Sequence, residues 1–273
     1  MTKEQEIAYI FKNKELIITQ KTNAIKHGDF CNAVIQEDNG VQKAGVDVTG
    51  EDSTVLNAKL IINTTNVIDS HMDCHINGLW KKSLNETKSL LLLQEHQMDF
   101  ENVIADSVND NLIATTEIID WKKLGFKFVG STEALIFNAQ IKKDVNEFMF
   151  NLYRKGRVLN HSVGMRYIKM FLCIDSNEAM YSSEKANWDK YYPIVVNQEV
   201  ADHKGFFYAI TEAKVIEGSA VVKGSNAYTP TIEIEIEKEN TGADIITPET
   251  EAVLNTSNNK SGDKASQKIS SYL

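Results

Sequence analysis

The sequence has little of the residue types that cross-link or stiffen small extracellular proteins. Its 273 residues include only three cysteines (Cys31, Cys74 and Cys173) and three prolines. An odd and sparse set of cysteines is typical of a reducing compartment and does not suit a disulfide framework. The few prolines exclude a proline-rich linker. We therefore expect a chain that is stabilised by its hydrophobic core.

Long hydrophobic runs and an excess of basic residues are also missing. The longest purely aliphatic run, Leu90–Leu93, is far shorter than the roughly 20 residues that cross a membrane. The N-terminal residues lack the apolar segment and cleavage site of a signal peptide, so we expect none. The formal net charge of −9 disfavours binding along a phosphate backbone. We expect no membrane and no direct nucleic-acid partner.

The sequence consists largely of short β-branched or alternating runs separated by turn residues. This pattern predicts an α+β fold that is mainly β, with strands at 14–19, 58–63, 89–93, 102–105, 112–119, 126–129, 135–138, 162–174, 206–210, 214–216 and 219–223. Turn signals lie at 27–29, 39–40 and 49–52. Short helices are predicted at 79–84 and near 183–192, the second within an insertion at 176–204.

One helix is predicted by a clear periodicity. Apolar residues at 145, 148, 149, 152 and 153 form a single stripe at the helical spacing. Asp144, with Glu147 three residues later, resembles a capping box, and Gly156 suits the position after the last turn. We predict a helix over 145–155.

The last part of the chain changes in composition. The run IEIEIEKE after Thr231 alternates strictly but is half acidic, which predicts an edge strand or an extended arm. From residue 239 onward the residues are mostly Thr, Asn, Ser, Gly and Lys, which bury too little apolar surface to fold. We therefore divide the chain into a domain over 1–237 and a disordered polar tail over 238–273.

His71, Asp73, Cys74 and His75 crowd into the five residues HMDCH and suggest a metal site. A closed zinc site needs four converging ligands, usually two spaced pairs, and no second pair follows here. We favour an exposed loop for this segment and keep a metal-dependent hydrolase as a minor alternative.

Two residues suit nucleophilic catalysis by their positions. His96 follows the apolar run SLLLLQE, where a fixed backbone would hold an imidazole as a general base. Ser162 begins a predicted strand two residues before Gly164, where a backbone can approach a substrate closely. The competing interpretations are a strand-end histidine that bonds a neighbour and an ordinary strand serine.

Glu217 is the third candidate, because it lies in the otherwise apolar strand KVIEGSAVV. Burial of a carboxylate costs several kcal/mol unless it is paired, and holding an imidazole in one tautomer supplies a partner. The alternative is an outward-facing strand residue.

Taken in order, these residues resemble the tailed-phage prohead (capsid maturation) protease family over roughly 55–230. Residues 69–84, DSHMDCHINGLWKKSL, are similar to that family's opening element D-x-x-G-D-x-x-x-P-G-x-F-x-x-S-L. His96 begins the counterpart of the element H-D-x-x-x-x-I-G. Residues 217–229, EGSAVVKGSNAYT, correspond to E-x-S-x-V-x-x-x-A-N-x-x-A/T.

The chain departs from these elements at several positions. The substitutions are Met72 for glycine, Asn77 for proline, Trp80 for phenylalanine, Gln97 for aspartate and Ser225 for alanine. None of them falls on His96, Ser162 or Glu217.

The resemblance implies a small closed or partly closed β-barrel flanked by helices, as in the herpesvirus assemblins. It also implies a serine endopeptidase in which Ser162 attacks, His96 is the base and Glu217 orients the imidazole. The oxyanion donors would be backbone N–H groups at a Val163-Gly164 turn or a neighbouring loop. Neither a cofactor nor a metal is implied.

The resemblance further implies the biological setting. The substrates would be the major capsid protein, scaffold segments and the enzyme itself, inside the assembling procapsid in the host cytoplasm. A homodimer or higher self-association follows from the likeness to assemblins.

Three alternatives remain at this point. A non-catalytic scaffold or capsid-assembly factor would share the fold, and Glu212 competes with Glu217 as the third residue. His161 adjoins Ser162, but consecutive strand residues point to opposite faces, so we expect His161→Ala to be milder than His96→Ala.

Overall fold

The computed structural model describes residues 1–26 and 53–236, in which strands outnumber helices. The helices are α1 Lys3–Lys12, α2 Lys14–Asn23, α3 Lys81–Glu86, α4 Glu147–Arg154, α5 Ser182–Tyr191 and α6 Gln198–Lys204. The strands are β1 Val55–Asn63, β2 Asp73–His75, β3 Leu91–Gln94, β4 Val103–Asp106, β5 Ile113–Asp120, β6 Ser131–Lys142, β7 Asn160–Ile174, β8 Phe206–Val221 and β9 Thr231–Ile236. The predicted mainly β α+β class is confirmed.

The strands form two sheets. One sheet is antiparallel with the strand order β5-β6-β1-β9. In the other, β8 pairs with β7 along one side and with the short parallel strands β2 and β3 along the other, and β4 continues beyond β3. The acidic run IEIEIE is the edge strand β9, as predicted.

The prediction of a closed or partly closed barrel is wrong for the described residues. Closure requires every strand to have two neighbours, whereas β5 and β9 each have a single partner strand. The two open sheets instead pack on a common core, to which β1, β6, α4, β7 and β8 contribute Leu60, Phe137, Phe150, Val163 and Val215.

The longest strands differ from the prediction in continuity. Three predicted strands between 206 and 223 are one strand, β8, of 16 residues. It runs antiparallel to β7 with register shifts, one of them between Gly164 and Met165. These irregularities absorb the polar residues that resembled strand ends in the sequence.

Several helices differ from the prediction. The run 14–19 is helix α2, because its side chains Ile17 and Ile18 pack on the core from a helix rather than a strand. The unpredicted α1 begins with a capping box between Thr2 and Gln5. The predicted strand 126–129 is a loop, and α6 was not predicted.

The helix predicted over 145–155 is confirmed as α4, with a different cap. Asn146 is the N-cap, and its side chain accepts a hydrogen bond from the backbone N–H of Met149, so the expectation for Asp144 was wrong. Gly156 follows the helix with a φ of 61°.

The predicted turns between 27 and 52, the cysteine at 31 and the predicted tail over 238–273 lie outside the described residues. Within the described part of the chain, no helix is long and apolar enough to cross a membrane.

Candidate active site

His96 and Glu217 form a direct hydrogen bond. The Nδ1 atom of His96 lies 2.6 Å from Oε1 of Glu217. Both side chains are buried, with the carboxylate at 0% and the imidazole at 8% exposure. A hydrogen bond between an imidazole and a carboxylate in this setting fixes the ring orientation and its tautomer.

Ser219 holds the other side of this pair. Its hydroxyl donates to Oε2 of Glu217 at 2.6 Å and accepts a hydrogen bond from the backbone N–H of His96 at 3.2 Å. Both oxygens of the buried carboxylate therefore have partners, which is the condition for keeping a carboxylate in a core.

The backbone of His96 is strained. Glu95 and His96 are consecutive non-glycine residues in the left-handed region, with φ values of 50° and 58°. Such residues cost free energy and persist where their surroundings determine them. Here β3 runs parallel to β8, and the N–H of Glu95 continues the pairing to the carbonyl of Ala220. The strained turn places the imidazole over β8.

Gly164 provides the space for the Glu217 carboxylate. The two residues lie opposite each other across β7 and β8. A Cβ atom at position 164 would overlap Oε1 of Glu217 and lie 2.7 Å from its Cδ. The expectation that this glycine admits a substrate backbone was therefore wrong, since the space is taken by the carboxylate.

Ser162 lies on the same face of the sheet as this pair. It is directly opposite Ser219 in the β7–β8 register, and paired residues of antiparallel strands project to one side. The hydrogen bonds of this cluster join His96, Glu217 and Ser219 but, within residues 1–26 and 53–236, do not include the Ser162 hydroxyl. A bond between a nucleophile and its base often tightens only when substrate is bound.

His161 lies on the opposite face of β7. Its Nε2 atom is 3.0 Å from the hydroxyl of Tyr153, and its backbone N–H donates to the carbonyl of Thr229. Burial lowers the pKa of His161 to about 4. This histidine is a neutral core residue that belongs to another set of contacts.

Glu212 is not near the imidazole contact just described. This partly exposed residue pairs with Lys82 at 3.2 Å. Of the two acidic residues considered from the sequence, Glu217 is the one that bonds to His96.

The oxyanion donors do not lie in a turn at Val163-Gly164, because both residues are inside strand β7. The neighbouring loop over 222–230 remains the other expected source. In it, Gly224 approaches Ser162, since a Cβ atom at 224 would lie 3.6 Å from the Ser162 Cβ. Asn226 fixes this loop by donating to the Thr64 hydroxyl at 2.9 Å.

The HMDCH segment is a buried structural element. It contains strand β2, so the prediction of an exposed loop was wrong. The groups point to different partners, and the described residues include no cluster of three or more His, Cys, Asp or Glu that suits a metal ion. The minor metal alternative has no support in this part of the chain.

Asp73 and His75 in this segment belong to a buried polar network that sequence reasoning missed. The Tyr167 hydroxyl donates to Asp73 at 2.9 Å and lies 3.2 Å from Nε2 of His75. Lys21 forms a salt bridge with Asp73, and Asn63 bonds to Nδ1 of His75 at 2.9 Å. Burial lowers the pKa of His75 to about 4, so this imidazole is neutral at pH 7.

A small cavity separates this network from Ser162. Its walls include Ser162, Val163, Asn63, His75 and Asn226. The nucleophile candidate therefore lies at the boundary between the His96–Glu217 pair and a partly polar cavity, which is the arrangement expected beside a reacting group.

Comparisons with known proteins identify no relative: no protein-family model, curated protein or solved structure matches this chain.

Proposed function

We propose that this protein is a serine endopeptidase of the prohead maturation type. The observation that carries the proposal is the buried bond between Nδ1 of His96 and Glu217, on the face of the β7–β8 pair that also bears Ser162. A buried carboxylate that holds an imidazole beside a serine is the arrangement that activates a hydroxyl.

The roles follow from this geometry. Ser162 Oγ attacks the scissile carbonyl carbon, and its proton passes to Nε2 of His96. Collapse of the tetrahedral intermediate breaks the C–N bond, and the same proton leaves with the amine. Water then attacks the acyl-enzyme, gives a proton to His96, and releases a carboxylic acid while the proton returns to Ser162. Glu217 stabilises the imidazolium that forms in each half of the reaction.

The positions shared with the family's motifs have physical roles that support the assignment. Met72, in place of the family's glycine, has a φ of 60°. Ser219, the serine of E-x-S, bonds to both members of the pair. Ser83, the serine that closes the opening element, accepts a hydrogen bond from the Val215 N–H at 2.9 Å. The resemblance therefore falls on residues that shape the site.

The substrates that go with this assignment are the major capsid protein, scaffold segments and the chain itself. In that role the enzyme acts inside the assembling procapsid in the host cytoplasm, as a homodimer or a higher assembly. These statements rest on the resemblance of the motifs.

The test is the intact mass of the purified chain over time, beside Ser162→Ala, with and without the cognate major capsid protein. The proposal predicts that the natural chain trims itself or the capsid protein, whereas the variant leaves both whole. If both remain whole with the natural chain, the non-catalytic assembly factor is the better account. If both chains trim alike, Ser162 is not the nucleophile.

A further inference from the structure

The second edge of β7 is only partly occupied near Ser162. Backbone groups of a strand point alternately to its two neighbours. The N–H of His161 donates to the Thr229 carbonyl, and Met165 exchanges both of its backbone hydrogen bonds with Lys26. These odd-numbered residues therefore face away from β8. Val163 lies between them, and within residues 1–26 and 53–236 no loop or turn bonds to its outward N–H or carbonyl.

Lys26 shows how a chain adds to this edge. Its N–H donates to the carbonyl of Met165 at 2.7 Å, and the N–H of Met165 donates back at 3.1 Å. The bridge is antiparallel, so the chain runs from Lys26 toward lower residue numbers of β7. Ser162 lies three residues away in that direction, or about 10 Å at the usual strand rise.

Lys26 is held firmly in this position by the N-terminal helices. Helix α2 packs on β7, and its Lys21 is bound to the buried carboxylate of Asp73 and lies over the ring of Tyr208. The ammonium group of Lys26 lies 5.9 Å from the ring centre of Tyr167 on β7 itself. The direction in which the chain leaves Lys26 is thus fixed relative to the candidate active site.

The space beside the open edge matches this direction. Lys26, Val163 and Ser162 line the small cavity next to the nucleophile, and Ser225 and Asn226 of the loop after β8 bound it further along the edge. The cavity therefore follows the strand edge from the point where the described chain stops to Ser162.

We propose that the open edge at Val163 is the docking site for the chain's own residues after Lys26, and that Ser162 cuts the chain within residues 27–30. Continued in register, the antiparallel pairing brings residue 28 opposite Val163 and residue 29 opposite Ser162. Strand addition of this kind is a common way to bind an extended peptide. The inference rests on the proposed function, since it uses the same nucleophile.

The reaction is the hydrolysis of one peptide bond by one water molecule. The acyl group of residue 27, 28 or 29 passes to Ser162 and then to water, and the proton received by His96 leaves with the new amine. The products are an N-terminal fragment with a free carboxylate and a remainder that begins at residue 28, 29 or 30.

The experiment locates self-cleavage by intact mass and by sequencing of the new N-terminus. The full-length chain is compared with Ser162→Ala and with a chain that carries Gly-Ser inserted between Lys26 and His27. We expect cleavage within three residues after His27 in the natural chain. In the insertion variant the cut stays at the same distance from Lys26 and so moves two residues back in the original sequence. Its rate is independent of protein concentration, because docking is intramolecular.

A second pair of variants tests the edge itself. Val163→Pro removes the outward N–H without removing a β7–β8 hydrogen bond, since proline is tolerated at a free strand edge. Val163→Ala trims the side chain and keeps the N–H. We expect cleavage after Lys26 to be at least about 10-fold slower in Val163→Pro than in Val163→Ala, while both variants react with a small fluorophosphonate at Ser162 at similar rates.

The outcomes separate this inference from the proposed function. Cleavage only elsewhere, a cut that keeps its original sequence in the insertion variant, or equal rates in the two Val163 variants overturns the docking. So does the absence of any cut in a chain whose Ser162 reacts with fluorophosphonate. If Ser162 neither reacts nor cuts, the proposed function is overturned with it.

Discussion

Gly164 and Glu217 face each other across the β7–β8 pair, and the carboxylate occupies the space that a side chain at position 164 would need. The bond from Glu217 to His96 therefore depends on the absence of a methyl group one strand away. This dependence leads directly to a test.

Gly164→Ala should displace the carboxylate and weaken its bond to His96. A displacement of about 1 Å at a catalytic group costs on the order of 10²-fold in rate. We expect such a loss in fluorophosphonate labelling of Ser162 per folded molecule. Gly218→Ala is the matched control, because its Cβ would meet Phe137 and Ile62 of the core instead. Equal labelling losses in the two variants would contradict this role of Gly164.

Glu217→Gln should leave the size of the side chain unchanged and remove its charge. Without the charge the imidazolium is no longer stabilised, and we expect labelling of Ser162 to fall by about 10³-fold or more. Glu212→Gln, which alters an acid paired with Lys82, should label at the natural rate. A loss in Glu212→Gln and none in Glu217→Gln would reverse the assignment of the third residue.

His161 should make stability depend on pH in the acidic range. Its pKa is about 4 in the folded chain because of burial, against 6.5 for the free side chain, so the unfolded chain binds the proton first. The stabilisation is complete above pH 6.5 and is lost as the pH falls toward 4.

Urea unfolding at pH 7 and pH 4.5 measures this effect. Between these values His161→Gln should lose about 2 to 3 kcal/mol less unfolding free energy than the natural chain. An identical loss in the two proteins would show that His161 is not held neutral.

Lys21→Met should leave the buried Asp73 without its cationic partner. Removal of one member of a buried ion pair costs about 3 to 5 kcal/mol. Lys185→Met is the control, since Lys185 bonds to the exposed Asp175 and Asp189, and surface pairs contribute up to about 1 kcal/mol. Thermal unfolding compares the two. A smaller loss in Lys21→Met than in Lys185→Met would contradict the anchoring of α2.

The sequence predicted the fold class because strand patterns are local, and it failed on closure because closure is not. Alternation in IEIEIE indicates an edge strand, which β9 is. The same kind of β-branched run at 14–19 forms α2, where packing of Ile17 and Ile18 on the core outweighs local preference.

The candidate site divides in the same way. A glutamate in an apolar strand and a histidine at the end of another can be recognised singly, and the structure joins His96 to Glu217. The fit of Gly164, the network around Tyr167 and the bridge from Lys26 depend on register and bulges between distant segments. No local pattern in the sequence carries that information.

The central claim is that His96 and Glu217 activate Ser162, and the labelling rate of Ser162 by a fluorophosphonate tests it most directly. Mass spectrometry of digested protein assigns the labelled residue in the natural chain, His96→Ala and His161→Gln. The account predicts that label accumulates on Ser162 in the natural chain, is lost in His96→Ala and persists in folded His161→Gln. Labelling of Ser162 that is indifferent to His96, or absent from the natural chain, would contradict it.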